Sequence, residues 1–211
     1  TNWVLHVTVE YEIEVAEMPD DPTPVGFDIG ESKLLTGCAL TENGTPKEPF
    51  IFDGGRARQL RKEMHTTLKR LQEREASEWR RDERFGYYQN ALTDIVEKAS
   101  RQAVEYAQQF DDPVIVLEDL SYIRENLDYG AYMNRRLHGW AFARLSSRIE
   151  DKAAEAAIPV RFVNPRYTSQ ICQECGHIGS RNSQAEFRCT NDECWVSEYQ
   201  ADINAAANIA G

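Results

Sequence analysis

The sequence predicts an α/β fold in which helices flank a mixed sheet, with a small cysteine-containing insert near the C-terminus. Three observations support this expectation. Short strand patterns separated by turn residues precede two long helical patterns. The apolar run Pro113–Leu117 is typical of a central strand that is buried on both faces. Two pairs of cysteines follow between residues 172 and 194. At 211 residues, the chain can bury one full core and a small additional module.

The first elements are strands. Apolar residues alternate with mostly polar ones from residue 3 to 15, which predicts a long half-buried strand (Trp3, Leu5, Val7, Val9, Tyr11, Ile13, Val15). The proline-rich segment 18–24 predicts a linker. Three further strands are predicted, with turns at Gly30, Asn43–Gly44 and Gly54–Gly55, and they form an antiparallel meander (Val25–Ile29, Leu34–Leu40, Pro49–Phe52).

The next elements are helices alternating with strands. Helical spacing predicts two helices with a break near Phe85–Gly86 (Leu60, Met64, Leu68, Leu71; then Tyr88, Leu92, Ile95, Ala99, Ala103). After the strand Pro113–Leu117, the pattern predicts a helix, the strand Pro159–Val163 and a last helix beginning near Asp202 (the first helix carries Leu137, Ala141, Leu145, Ile149, Ala153). This order of elements predicts an RNase H-like fold.

The four clustered cysteines predict a structural zinc site. Cys172 and Cys175 form a C-x2-C pair, and Cys189 and Cys194 form a C-x4-C pair, so two short turns present four thiolates. The alternatives are two disulfides or unrelated buried cysteines. No apolar stretch reaches membrane-spanning length and no secretory signal is visible, so we expect a reducing, cytoplasmic location that favours metal. Cys38, inside an apolar run, is expected to be a core residue.

Three acidic residues stand out in the predicted elements: Asp28 on the first core strand (Val25–Ile29), Glu118 at the end of the buried strand, and Asp202 at the start of the last helix. A carboxylate beside apolar strands is costly unless a cation pairs with it, and hard cations such as Mg²⁺ prefer oxygen ligands. Each acid has an alternative: Asp28 as a turn residue, Glu118 as the strand's exit to solvent with Asp119 as the functional acid, and Asp202 as a helix N-cap.

The net charge of −11 taken alone argues against a nucleic-acid partner. The charge is uneven, however, since residues 56–84 carry ten basic and six acidic side chains, which is also typical of a solvated helix face. Acidity with six lysines beside eighteen arginines suggests a salt-loving source, because concentrated salt screens surface repulsion. Net charge therefore does not exclude nucleic acid.

The segments VGFDIG, VIVLEDL and TSQICQECGH…FRCTNDEC…ADINAAANI resemble the three RuvC-like motifs and the inserted zinc ribbon of the TnpB family, transposon-encoded RNA-guided DNA nucleases related to type V CRISPR effectors. Arg181-Asn182 and Gln184 also resemble the family's ribbon. The likeness extends from about Val25 to Ala210, and the acidic, lysine-poor composition suggests a haloarchaeal member.

The resemblance implies a metal-dependent DNA endonuclease with an RNase H-like (RuvC) core. Asp28, Glu118 and Asp202 would be its catalytic acids and would bind two Mg²⁺ or Mn²⁺ ions, while the zinc would be structural. Guide RNA and target DNA would be its partners, with no membrane and no indication of oligomeric state. The resemblance also implies possible nucleic-acid contacts (Arg56, Arg58, Arg61, Lys62, Lys69, Arg70, Arg166, Tyr167, Arg181, and the aromatics Trp79, Tyr87, Tyr88, of which the tyrosines are more readily explained by core packing).

The expected domain division is a remnant strand of a wedge domain (1–17), a linker (18–24), a RuvC-like core (25–166) with a helical insertion (about 54–110), a zinc ribbon (167–199) and a final motif helix (200–211). Most of the family's N-terminal region is expected to be missing. Two alternative functions are a nuclease-inactive guided DNA-binding regulator, disfavoured by the presence of all three acids, and a zinc-ribbon adaptor, which leaves Asp28 and Glu118 unexplained. A DNA-strand transferase is a third alternative.

Overall fold

The computed structural model describes residues 5, 7–10, 12–13, 15–41, 44–119, 143–181, 183 and 185–211, and it describes the helical backbone alone for residues 132–142. Its centre is a five-stranded mixed sheet with the order β3-β2-β1-β4-β5. The strands are β1 (Thr23–Asp28), β2 (Lys33–Leu40), β3 (Pro46–Asp53), β4 (Pro113–Glu118) and β5 (Val160–Val163). Four helices accompany them: α1 (Gly55–Glu73), α2 (Glu78–Ala107), α3 (Tyr132–Glu155) and α4 (Ala201–Ala210).

The sheet confirms the predicted element order. β1, β2 and β3 form the antiparallel meander, whereas β4 pairs parallel with β1 and β5 pairs parallel with β4. β4 is buried from Val114 to Leu117, as its unbroken apolar run requires. Because β1 and β4 are parallel neighbours, their carboxyl ends meet at the same edge of the sheet.

The main core lies between the sheet and the helices α2 and α3. It contains Phe27, Leu35, Leu117 and Ile149, all with no exposed surface. Cys38 is also fully buried, and burial raises the pKa of its thiol to about 12, which confirms it as a core residue.

α4 packs closely on β1 because its alanine-rich surface meets a glycine of the strand. A Cβ atom on Gly26 would lie 2.2 Å from the carbonyl oxygen of Ala206 and 2.5 Å from the amide nitrogen of Ala210. Only glycine allows this approach without moving one of the two elements.

Two predictions on helices and strands are wrong. The break between α1 and α2 lies at residues 74–77, where Glu75 adopts a φ of 49°, and Gly86 lies within α2 instead. Glycine inside a helix costs only about 1 kcal/mol, which packing between the two helices outweighs. The predicted strand of residues 3–15 is absent among the described residues; Leu5 and Val15 are 87% and 89% exposed because no strand of the described sheet lies beside them. Trp3 and Tyr11 lie outside the described residues, as do Asn43, Asn182, Gln184 and the side chains of Leu137 and Ala141.

A small two-stranded sheet, β6 (Glu186–Phe187) with β7 (Tyr199–Gln200), belongs to the segment between β5 and α4. Among the described residues, no helix combines the length and the apolar character needed to cross a membrane.

Candidate active site

The three predicted acids converge on one cavity. Asp28 is the last residue of β1, Glu118 is the last residue of β4, and Asp202 is the second residue of α4. All three line an open cavity of about 620 Å³, together with Thr168 and Arg181 and several loop residues. The parallel pairing of β1 and β4 brings the first two acids together, and the packing of α4 on the sheet adds the third.

The electrostatics of Asp28 show how closely the carboxylates interact. Burial raises the pKa of Asp28 from 3.8 to about 7, with further increases from the charges of Glu118 and Asp202 and an opposing effect from Arg181. A cation bound beside this carboxylate would favour its ionised form. Asp28 is therefore a part of the carboxylate cluster rather than a simple turn residue.

Glu118 is half-buried and held by a neighbouring hydroxyl. The Oγ1 atom of Thr168 donates a hydrogen bond of 2.5 Å to Oε1 of Glu118. Burial raises the pKa of Glu118, and the Thr168 hydrogen bond opposes that rise. Asp119 is exposed and is not among the described residues that line the cavity, so Glu118 is the acid of this strand that faces the site.

Asp202 is held from both sides. Its Oδ1 atom lies 3.2 Å from Nη2 of Arg181, and its Oδ2 atom accepts a hydrogen bond of 2.9 Å from Nε2 of Gln200. The N-cap of α4 is Gln200, whose Oε1 accepts from the amide of Ile203 at 2.7 Å. The alternative that Asp202 is the N-cap is therefore wrong, which leaves its carboxylate available to the cavity.

This donor set fits a divalent cation. Three carboxylates supply hard oxygen ligands. The raised pKa of Asp28 reflects burial first and then repulsion from Glu118 and Asp202, and a bound cation would relieve that repulsion. The three acids come from different elements, so their convergence is a property of the fold and not of a local acidic run.

The four clustered cysteines also meet, as predicted. The Sγ atoms of Cys172 and Cys194 are 3.9 Å apart, those of Cys175 and Cys189 are 3.6 Å apart, and all four lie within 4.8 Å of one another. Four thiolates at about 2.3 Å from a tetrahedral zinc ion would be separated by about 3.8 Å. The cluster is therefore able to hold a metal ion such as zinc.

The cysteine segment, residues 167–199, is built from tight turns around a small apolar core. Gly176, with a φ of 67°, closes the first turn, and its amide donates to the carbonyl of Cys172 at 2.8 Å. Phe187 and Val196 are buried against the cysteines, together with the buried Ala201 and the partly buried Tyr199. A core this small agrees with the expectation that metal stabilises the segment.

Two asparagines of α4 fasten this segment to the helix, and sequence reasoning missed them. The fully buried Asn204 donates to the carbonyl of Ile171 at 2.8 Å and accepts from the amide of Gln173 at 3.0 Å. Asn208 donates to the carbonyls of Thr168 and Ile171, both at 2.8 Å. Their spacing of four residues places both amides on one face of α4, which is the sequence signal that was available.

The predicted nucleic-acid contacts are divided by the structure. Five of the basic residues are exposed along α1: Arg56, Arg58, Lys62, Lys69 and Arg70. Arg61 is only 7% exposed. Burial lowers the pKa of Arg61, and the charge of Glu31 opposes that change. Arg166 and Tyr167 are exposed, and Arg181 lines the carboxylate cavity.

The three aromatics at the start of α2 are divided in the same way. Trp79 is 63% exposed beneath the guanidinium of Arg80, and Tyr87 is 58% exposed. Tyr88 is buried, and its hydroxyl lies 3.1 Å from that of Thr67 in α1. Core packing therefore accounts for Tyr88, while Trp79 and Tyr87 present their rings to solvent.

Comparison with known proteins shows which proteins the chain resembles. The family model described as "Cas12f1-like, TNB domain" matches residues 142–209. A CRISPR-associated endodeoxyribonuclease Cas12f1 of Sulfoacidibacillus thermotolerans is 43% identical over 113 residues, which are 53% of this chain and 25% of that protein. A TnpB-like protein of Aquifex aeolicus is 29% identical over 126 residues, which are 56% of this chain and 40% of that protein.

The fold is shared with a solved structure. A cryo-EM structure of a Cas12f1–sgRNA–target DNA complex matches with a TM-score of 0.69 and 21% identity, covering 92% of this chain and 51% of the matched chain. The chain thus spans a quarter to about half of the proteins it matches. The matched region includes the cysteine segment and α4, and the fold agrees with the RNase H-like prediction, so the chain is similar to TnpB-like and Cas12f proteins in this region and in its fold.

Proposed function

We propose that this chain is the nuclease portion of an RNA-guided DNA endonuclease, in which Asp28, Glu118 and Asp202 form a two-metal site. The observation that carries the proposal is the convergence of three carboxylates, from three different elements, on one open cavity. The relatives' names, which describe endodeoxyribonucleases and a complex with guide RNA and target DNA, support the substrate class.

In this proposal, the three carboxylates would hold Mg²⁺ or Mn²⁺ ions beside the scissile phosphate. When bound, the ions supply activation of the attacking water and stabilisation of the departing 3′ oxygen. Glu118, fixed by Thr168, and Asp202, fixed by Gln200, enter the reaction already oriented. The cavity is open to solvent, which supports a polymeric substrate in this proposal.

The remaining predicted contacts take supporting roles in the proposal. The exposed basic residues of α1 follow the backbone of the guide–target duplex, which related effectors recognise through its shape. Arg181 contacts the DNA phosphate beside the acids, and the exposed Arg166 and Tyr167 contact the strand leading to the cavity. The cysteine segment, residues 167–199, is a structural zinc ribbon, because four thiolates leave no open coordination position for catalysis.

The test compares cleavage and metal binding in three proteins: the wild-type chain, Asp28→Ala and the control Asp111→Ala, which removes an exposed carboxylate before β4. Labelled single-stranded DNA is incubated with Mn²⁺ in concentrated salt, and Mn²⁺ binding is measured by electron paramagnetic resonance. We expect cleavage and tight Mn²⁺ binding in the wild type and in Asp111→Ala, and neither in Asp28→Ala. Equal Mn²⁺ binding by all three proteins would contradict the proposal. Tight binding without cleavage would instead favour the nuclease-inactive regulator.

A further inference from the structure

Thr168, which is not one of the three acids, connects Glu118 to the helix that carries Asp202. Thr168 lies between β5 and the cysteine cluster, is 8% exposed, and lines the cavity. Its hydroxyl has one proton, and the shorter of its two contacts is the 2.5 Å bond to Oε1 of Glu118, compared with 3.2 Å to the carbonyl oxygen of Pro165. One carboxylate oxygen of Glu118 is thereby engaged, which restricts rotation of the carboxylate about its last bond.

The backbone of Thr168 is fixed from the opposite side. Its carbonyl accepts a hydrogen bond of 2.8 Å from Asn208 of α4, and the same amide group also holds the carbonyl of Ile171. Asn204 adds two further bonds to Ile171 and Gln173. The start of the cysteine segment is therefore fastened to the helix that carries Asp202.

We infer that Thr168 is a positioning residue: it sets the orientation of the Glu118 carboxylate for cation binding and links that acid to the helix of Asp202. The inference rests on the proposed function and assigns this role to a residue that is not itself an acid. Valine has the shape of threonine without the hydroxyl, so Thr168→Val removes the bond and keeps the volume. Serine keeps the hydroxyl, so Thr168→Ser is the rescuing variant.

The experiment measures Mn²⁺ binding by electron paramagnetic resonance on the zinc-loaded 211-residue chain, and the cleavage rate as a second readout. Loss of a residue that orients a metal ligand weakens metal binding by about 10- to 100-fold. We expect that loss in Thr168→Val, recovery to within about threefold of wild type in Thr168→Ser, and unchanged zinc content in both. The matched control is Thr190→Val, since Thr190 also donates its hydroxyl to a backbone carbonyl of this segment, that of Ile178, at 2.6 Å.

The outcomes are distinguishable from failure of the proposed function. If Asp28→Ala removes Mn²⁺ binding but Thr168→Val binds as tightly as wild type, the role of Thr168 is refuted and the acid site stands. If Thr168→Ser loses binding as severely as valine, or Thr190→Val loses it equally, the effect is structural and the inference fails. If Asp28→Ala binds like wild type, both the site and the role of Thr168 are overturned. If Thr168→Val does not fold, the serine variant alone decides, because loss of binding in a folded Thr168→Ser also refutes the role.

Discussion

The guanidinium of Arg181, in the cysteine segment, lies 3.2 Å from the carboxylate of Asp202, at the start of α4. This ion pair therefore joins the cysteine segment to α4, and the two are stabilised in different ways. The cysteine segment has a minimal core, whereas α4 is packed on the sheet. Under the proposed zinc binding, the order of the cavity on this side depends on the metal that holds the cysteine segment together.

The first prediction concerns the ion in that segment. We expect one zinc ion per chain, and we expect Cys172→Ser, or treatment with a strong chelator, to remove it and unfold the segment while the sheet stays folded. Hydrogen exchange checks this: amides near residues 171–189 should lose protection, and those of β4 should keep theirs. Cys38→Ala is the control, because it removes a thiol in the core and should keep full zinc content. Retained protection in zinc-free protein would contradict the prediction.

The second prediction concerns pH and Asp28. The folded state raises this pKa from 3.8 to about 7, so it binds more protons than the unfolded chain between those values, and stability falls as pH rises through them. Without a divalent cation, the free energy of unfolding falls by up to about 4 kcal/mol over this pH range. Asp28→Asn should remove most of this dependence and should be more stable than wild type at pH 8.

Denaturant titrations from pH 5 to 8 test this expectation, with Asp111→Asn as the control for an exposed acid. Added Mn²⁺ should stabilise wild type more at pH 8 than at pH 5, because at pH 5 it must displace a proton from Asp28. A pH dependence that is the same in Asp28→Asn and wild type would show that Asp28 is not the group responsible.

The third prediction concerns an ion cluster between α2 and α3. Glu97 accepts hydrogen bonds from Arg148 at 2.6 Å and Lys152 at 2.5 Å, and the Lys152 side chain is 6% exposed. Because Glu97 is itself a third exposed, its change to glutamine should cost about 2 kcal/mol, less than a fully buried pair would. Asp94→Asn, which breaks the exposed pair with Lys98 on the same helix, should cost less than about 0.5 kcal/mol.

The same cluster makes the fold sensitive to acid. Hydrogen bonds from Arg148, followed by those and the charge of Lys152, lower the pKa of Glu97 from 4.5 to about 2. Its contribution is therefore complete above pH 4.5 and is lost as pH falls toward 2. Thermal unfolding of wild type and Glu97→Gln should differ near pH 6 and converge near pH 2, and a constant difference would refute this account.

The sequence was sufficient to predict the parts of the fold and site that depend on local pattern. The apolar run before Glu118 identified a doubly buried strand, and parallel pairing of that strand with β1 brought Asp28 and Glu118 together. Cysteine spacing likewise identified the thiolate cluster. These features follow from periodicity and from spacing along the chain.

Other features depend on contacts between distant residues. Thr168 lies 50 residues from Glu118 and 40 from Asn208, and a single hydroxyl at such distances leaves no local pattern. The helix break was misplaced because the left-handed residue is Glu75 rather than a glycine. The alternation of apolar and polar residues from 3 to 15 showed which residues would share a face of a strand. It did not show which other strand would pair with this segment.

The contact between Gly26 and α4 has a consequence for how the spacing of the acids is set. Gly26 lies two residues before Asp28, and Ala206, which it touches, lies four residues after Asp202. An added methyl group at residue 26 requires β1 or α4 to shift, and an outward shift of α4 would move Asp202 away from Asp28. The absence of a side chain at residue 26 thus lets α4, and with it Asp202, lie close to the strand that carries Asp28.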